Sequence, residues 1–339
     1  MTSQREAFRK PNMFKILFNT TLGIILIFIW SRFVDISQIF STILRVNLVY
    51  LVPILFFMLL SPVLRAIRLK VFLFEKMKFK IKDLIFLNGA AMMLNFFIPI
   101  RAGEIAKGVY LNTHYKLPLG KSIIWIFIDR FVDFLTVLIL TTILFFIVPT
   151  TLSIKFIIIL TLILAAVLFL TYLTIFRIDF AKKLVSFLKS ILIVNSIKIY
   201  FDKFSTFVLE SFSILNRHPK DICFMIGITV LAYGADAAIW YFTFIALGAN
   251  QDYFKMYLGQ LLSALTYLIP AAPGYIGSAE ASGLLILSGI FGILPNLASA
   301  MIVLLHILLA VFILIFGLIS VYSLKIEVVV LLKRVLKRS

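Results

Sequence analysis

Pro99-Ile100-Arg101-Ala102-Gly103-Glu104 closes the apolar run 84–98, and Pro270-Ala271-Ala272-Pro273-Gly274-Tyr275-Ile276-Gly277-Ser278-Ala279-Glu280 closes a second run, 256–269. Each run is short for a bilayer crossing. Each is followed by Pro and Gly, then by a glutamate that opens another short apolar stretch. Proline removes a backbone donor and disfavours helical geometry in the residue before it, so the helix stops. Backbone freed at membrane depth survives where it is buried in protein or lines a wet cavity. The two segments therefore read as re-entrant helical hairpins whose tips meet inside the membrane, and the working site is expected there.

Composition sets the surroundings. Of 339 residues, 62% are hydrophobic and 14% charged, with mean hydropathy +1.10. Soluble domains carry roughly 25% charged residues. Long apolar runs, in place of short alternating segments, exclude a transmembrane barrel. The chain reads as an all-α polytopic membrane protein. The net charge of +18 follows from basic inter-span loops and anionic head groups, so nucleic acid is not expected as a partner. A single cysteine, Cys223, excludes an intrachain disulfide, and His114, His218 and His306 lie far apart. No metal and no cofactor is expected.

Basic residues orient the spans. Full spans are expected at 16–33, 48–64, 123–148, 154–176, 221–247 and 297–324, with hairpins at 83–112 and 256–294. The first span lacks a small-residue cleavage site and is expected to be retained. Segments 1–15, 65–82, 177–220 and the tail hold four, seven, eight and five Lys/Arg, or 24 of 33. The opposite loops hold Arg32, Arg45, Lys155 and Lys255. Both termini are therefore expected inside, with 177–220 as a basic amphipathic linker on the inner surface. The stretches 48–148 and 221–324 then repeat one unit with opposite topology: span, hairpin, span. That pattern, six spans plus two re-entrant hairpins in one domain covering 1–339, is an inverted repeat of the kind secondary transporters use.

Ionisable residues at membrane depth are functional candidates. Glu104 and Lys107 are three apart and share a helix face, while Arg101 just before the helix suits a phosphate. A helix cap with a structural ion pair is the plainer reading of this group. Asp129 and Asp133 are four apart with Arg130 between them; like charges so placed require a cation opposite, and Arg101 or Lys107 is the expected partner. Gly274 and Gly277 permit close backbone approach beside Glu280. Asp236 and His306 lie inside spans; His306 is roughly 14 Å deep by helix rise. For His306, an interhelical hydrogen bond stands beside proton coupling or a head-group contact.

Three motifs in order, Pro99-Ile100-Arg101-Ala102-Gly103-Glu104, Asp129-Arg130-x-x-Asp133 and Pro273-Gly274-x-x-Gly277-x-x-Glu280, resemble the flippase-like membrane domain of the lysylphosphatidylglycerol synthase/flippase family over residues 15–325. His306 falls where that family often places a basic residue. The resemblance implies a lipid-handling protein. It does not imply lysyl transfer, which in two-part members belongs to a soluble C-terminal domain that these 339 residues do not contain. The expected activity is translocation of a phospholipid or polyprenyl-phosphate-linked head group between leaflets of the plasma membrane. An integral-membrane transferase acting on polyprenyl-phosphate sugars or phospholipid head groups is the alternative, and an envelope-assembly scaffold ranks third. The expected partner is an anionic or zwitterionic lipid head group, and a homo-oligomer is left open.

Overall fold

A computed structural model describes residues 13–73, 79–98, 102–192, 195–217, 219–266 and 272–325. Among these residues every regular element is helical. Helix α1 (Met13–Ser31) turns into α2 (Ile36–Leu44), and the turn measures 87°. Then follow α3 (Leu51–Leu73), α4 (Ile81–Phe97), α5 (Ala102–Tyr115), α6 (Leu119–Ile147) and α7 (Ile154–Phe176). The basic linker is two helices, α8 (Ile178–Ile191) and α9 (Asn195–Arg217). The chain continues through α10 (Pro219–Ala246), α11 (Tyr253–Thr266), a 3-10 turn at Pro273–Tyr275, α12 (Ser278–Leu284) with a π-helical extension Leu285–Ile290, and α13 (Pro295–Ser323).

Five of these helices are long and apolar enough to cross a membrane, and α1 with α2 makes a sixth if the bent pair counts as one. With no water in the hydrocarbon, only a helix satisfies its own backbone. Length and composition therefore dictate helices here. The segments expected to interrupt helices, 99–104 and 270–280, are each entered between elements: α4 ends at Phe97 and α5 begins at Ala102, while α11 ends at Thr266 and a 3-10 turn begins at Pro273. Pro99, Ile100, Arg101, Pro270 and Ala271 lie outside the described residues.

Two expectations are corrected. The second span does not end at residue 64. Helix α3 runs on to Leu73, so Arg65 and Arg68 are helical and not part of an inner loop. The helix continues through Pro62, and the carbonyl of Pro62 also accepts from the Asn88 side-chain amide of α4 at 3.2 Å. The chain after the first span is also not a plain loop. Asp35 caps α2 by accepting from the Gln38 amide at 3.1 Å. Around that cap, Asn296 Oδ1 at the start of α13 accepts from the Asp35 N–H at 2.9 Å.

Close helix contact rests on small residues, as expected where lipid supplies no hydrophobic drive between helices. A Cβ at Gly103 would lie 2.1 Å from the Ala91 carbonyl oxygen, so α4 and α5 touch backbone to backbone. A Cβ at Gly89 of α4 would meet Ser320 and Phe316 of α13, and one at Gly317 would meet Met93. Helix α3 packs along α10, α4 along α13, and α6 against α5, α10 and α11. Among the described residues three buried apolar clusters form the core, two of them large. One runs through Met58, Val137, Phe244, Leu261 and Leu305. The other runs through Leu69, Leu87, Leu111, Ile128 and Met225. Along α3 and α6, Arg65 and Asp133 fall between residues of one cluster and residues of the other.

Candidate functional site

Helix α6 is 29 residues long, and Asp133 is its fifteenth, about 21 Å along the axis at 1.5 Å per residue. Its mid-span band of carboxylates meets cations from α3. Arg68 is fully buried; its Nε donates to Asp129 Oδ1 at 2.8 Å and its Nη1 to Asp133 Oδ1 at 2.7 Å. The same Nη1 lies 2.9 Å from the Thr229 hydroxyl of α10. Arg130 closes the other side, with Nη2 2.6 Å from Asp129 Oδ2 and Nη1 3.2 Å from Asp133 Oδ2. One turn before Arg68, Arg65 reaches Asp236 of α10 at 2.8 Å and Asp133 at 3.5 Å, and its guanidinium sits 5.0 Å from the Tyr233 ring centre.

Glu104 and Lys107 of α5 extend the group. Their charged atoms are 3.5 Å apart, near enough for an ion pair but not aligned as a hydrogen bond. Both lie within electrostatic reach of Arg130 and Asp129. Four cations (Arg65, Arg68, Lys107, Arg130) thus face four carboxylates (Glu104, Asp129, Asp133, Asp236). A single charge at the bilayer centre costs about 2.5–3.5 kcal/mol on insertion scales, so eight groups survive there only as a neutral network. The network is not closed on every side. The side chains of Arg130 and Arg65 stay 31% and 21% exposed, against 0% for Arg68. One buried guanidinium nitrogen, Arg68 Nη2, has no hydrogen-bond partner among the described residues.

The expected partner of the α6 aspartates is therefore corrected. Arg68, Arg130 and, for Asp133, Arg65 fill that role. Lys107 pairs with Glu104, and Arg101 lies outside the described residues. Arg65 and Arg68 escaped the sequence reading because they opened a basic stretch. The signal that finds them is their three-residue spacing within a helical apolar period that Ala66 and Leu69 continue.

The second break forms a separate cluster. His306 of α13 has Nδ1 2.6 Å from Glu280 Oε1 and Nε2 2.8 Å from the Gly274 carbonyl. Glu280 Oε2 accepts from the Gly277 N–H at 2.7 Å, so Glu280 caps its own helix. Gly274 and Gly277 have φ of +71° and +81°, a region glycine enters without strain. A Cβ at Gly277 would lie 2.1 Å from the Gly23 carbonyl oxygen of α1. The end of α4 abuts this tip: the Phe96 ring is 6.4 Å from that of Tyr275 and 6.5 Å from His306. Glu280, His306, Gly274 and Gly277 are thus together, and apart from the α3–α6–α10 network. Among the described residues there is no group of three or more His, Cys, Asp or Glu able to hold a metal.

Helices of spanning length with ion pairs locked between them define a multi-pass α-helical membrane protein. The family model described as Lysylphosphatidylglycerol synthase TM region matches residues 16–317, and the chain belongs to that family. Comparison with curated proteins and with solved structures gives no significant match.

Proposed function

We propose that the chain is a membrane lipid translocase, moving a phospholipid or polyprenyl-phosphate-linked head group between leaflets through the charged network at mid-span. The observation that carries the reading is that network: eight ionisable groups, neutral in sum, with two guanidinium groups left partly open. A purely structural network has no need of open cations. A head-group phosphate would meet Arg130 and Arg65, whose planar forks suit its oxygens. The carboxylates they release, Asp129, Asp133 and Asp236, would face the amine or hydroxyls of the same head group, and Glu104 and Lys107 would line its approach. Acyl tails would remain in lipid.

The inverted repeat belongs to this reading. Exchanging α3, α4, α5 and α6 for α10, α11, α12 and α13 maps the packing pairs α3–α4, α4–α5, α5–α6, α4–α13 and α3–α6 onto α10–α11, α11–α12, α12–α13, α11–α6 and α10–α13, all of which are present. The correspondence is uneven: α4–α5 and α4–α13 pack more extensively than α11–α12 and α11–α6, and α6–α10 has no matching α3–α13 pair of similar extent. With both termini inside, the hairpins α4–α5 and α11–α12 would enter from opposite faces, and one half rocking against the other would give alternating access.

Reconstitution into vesicles with a tail-labelled fluorescent phosphatidylglycerol or phosphatidylethanolamine, quenched from outside by dithionite, tests the reading. The expected result is quenching beyond the outer-leaflet half at a protein-dependent rate. Quenching equal to that of protein-free vesicles for both lipids and for a polyprenyl-phosphate probe overturns it.

A further inference from the structure

The cluster at the second break holds a hydrogen count that its neighbours fix. The Gly274 carbonyl only accepts, so His306 Nε2, at 2.8 Å, carries a hydrogen. Glu280 Oε2 accepts from the Gly277 N–H at 2.7 Å, so that oxygen needs none. The remaining contact, His306 Nδ1 to Glu280 Oε1 at 2.6 Å, is a hydrogen bond only with one more proton between them. Imidazolium donating to carboxylate and carboxylic acid donating to neutral imidazole are the two forms of that state, and both leave the pair uncharged overall. Without the proton, two lone pairs face each other at 2.6 Å beside a carboxylate with negative charge. We propose that Glu280, His306 and the Gly274 carbonyl form a binding site for one labile proton, filled while the tip is docked on α13 and emptied as the tip lets go.

Nothing else charged supports the pair among the described residues. Helix α12 carries no other ionisable group, and α13 none but Tyr322, sixteen residues beyond His306. From α4 the pair meets Phe96, whose ring also lies 6.4 Å from that of Tyr275 in the turn. Lys82 and Asp83 sit at the other end of α4. In the turn between α1 and α2, Arg32 covers Phe28 and Asp35 caps α2. On α11 and α10, Tyr253 and Tyr257 donate to carbonyls of α10, Lys255 sits in the first turn, and Asp236 pairs with Arg65. Besides burial, the groups acting on Glu280 and His306 are each other and the Glu280, Gly277 and Gly274 backbone. The docked tip is therefore favoured at low pH and lost as pH rises through the value at which the pair releases its proton.

This site stands without the translocation reading. If that reading holds, the proton is its coupling ion. The decisive variant is Glu280→Gln, because a glutamine fits both partners: its amide oxygen accepts from the Gly277 N–H and its NH2 donates to neutral His306 Nδ1. It keeps the docked contact with no proton to lose.

The test uses the full chain in nanodiscs with Ser278→Cys at the tip and the exposed Cys223 as an internal reference for thiol reactivity. The ratio of water-soluble maleimide modification at the two sites is followed between about pH 6 and about pH 9. In the otherwise wild-type chain the ratio is expected to rise about tenfold. With Glu280→Gln added it is expected to stay at the low-pH value throughout. A flat ratio in the first protein, or an equal rise in the second, overturns the proposal. Should Glu280→Gln fail to fold, nitrogen-15 spectra of histidine-labelled protein decide, with His306→Gln identifying the signal. A hydrogen-bonded Nδ1 at low pH that becomes bare at high pH supports the site. A bare Nδ1 at every pH overturns it. None of these measurements needs a lipid substrate, so their failure is distinct from failure of the vesicle assay.

Discussion

At the scale of single residues, Arg68 is the test of how the charges are held. It bridges both α6 aspartates from a fully buried position. Removing one partner of a buried pair leaves charge uncompensated, a loss of about 3–5 kcal/mol. Arg68→Ala is expected to lower stability by that amount, read as thermal unfolding in detergent. Arg130→Ala is expected to cost less than half as much, since Arg130 is partly exposed and Asp129 and Asp133 keep Arg68. Equal losses would mean the two arginines are held alike. Asp129 and Asp133 were legible as a pair in need of a cation because a four-residue spacing puts them on one face. Which cation answers was not legible, since Arg65 and Arg68 read equally well as the start of an inner loop. Glu280 and His306 were each legible as ionisable groups at depth. Their pairing was not, because it depends on how α12 docks on α13.

At the scale of elements, glycine position decides what an added methyl does. Gly103→Ala would place a Cβ 2.1 Å from a backbone carbonyl of α4. Backbone cannot step aside as a flexible side chain can, so α4 and α5 must separate, and a destabilisation of at least about 2 kcal/mol is expected. Gly227→Ala in α10 meets nothing within 4 Å and is expected to be neutral or stabilising by up to about 1 kcal/mol. Thermal unfolding of the two variants side by side checks the contrast; comparable losses would contradict the close packing of α4 on α5. The breaks themselves were readable because Pro and Gly act locally. The extension of α3 to Leu73 was not, because Arg65 and Arg68 read as the start of an inner loop until packing supplies their partners on α6 and α10.

At the scale of the molecule, orientation and repeat rest on different signals. Extending α3 to Leu73 takes Arg65, Arg68 and Lys70 from the inner count and leaves a strong excess there, so the positive-inside argument for inner termini is unchanged. It places Cys223, near the start of α10, on the inner side. An impermeant maleimide is expected to leave Cys223 unmodified in intact cells and to modify it after permeabilisation; labelling of intact cells would reverse the orientation. The proposed repeat rests in the sequence on span-hairpin-span order alone, since the two halves share little sequence, and the helix-packing pairs that support it come only with the folded helices. The central claim is that the open guanidinium groups of the mid-span network handle the head group. The most direct measurement is translocation of fluorescent phosphatidylglycerol by Arg65→Ala/Arg130→Ala protein, reconstituted beside wild type at matched amounts after both are shown folded. A rate lower by about a hundredfold, some 2.7 kcal/mol of lost stabilisation, is the expected result. An unchanged rate would show that lipid passes without touching these charges.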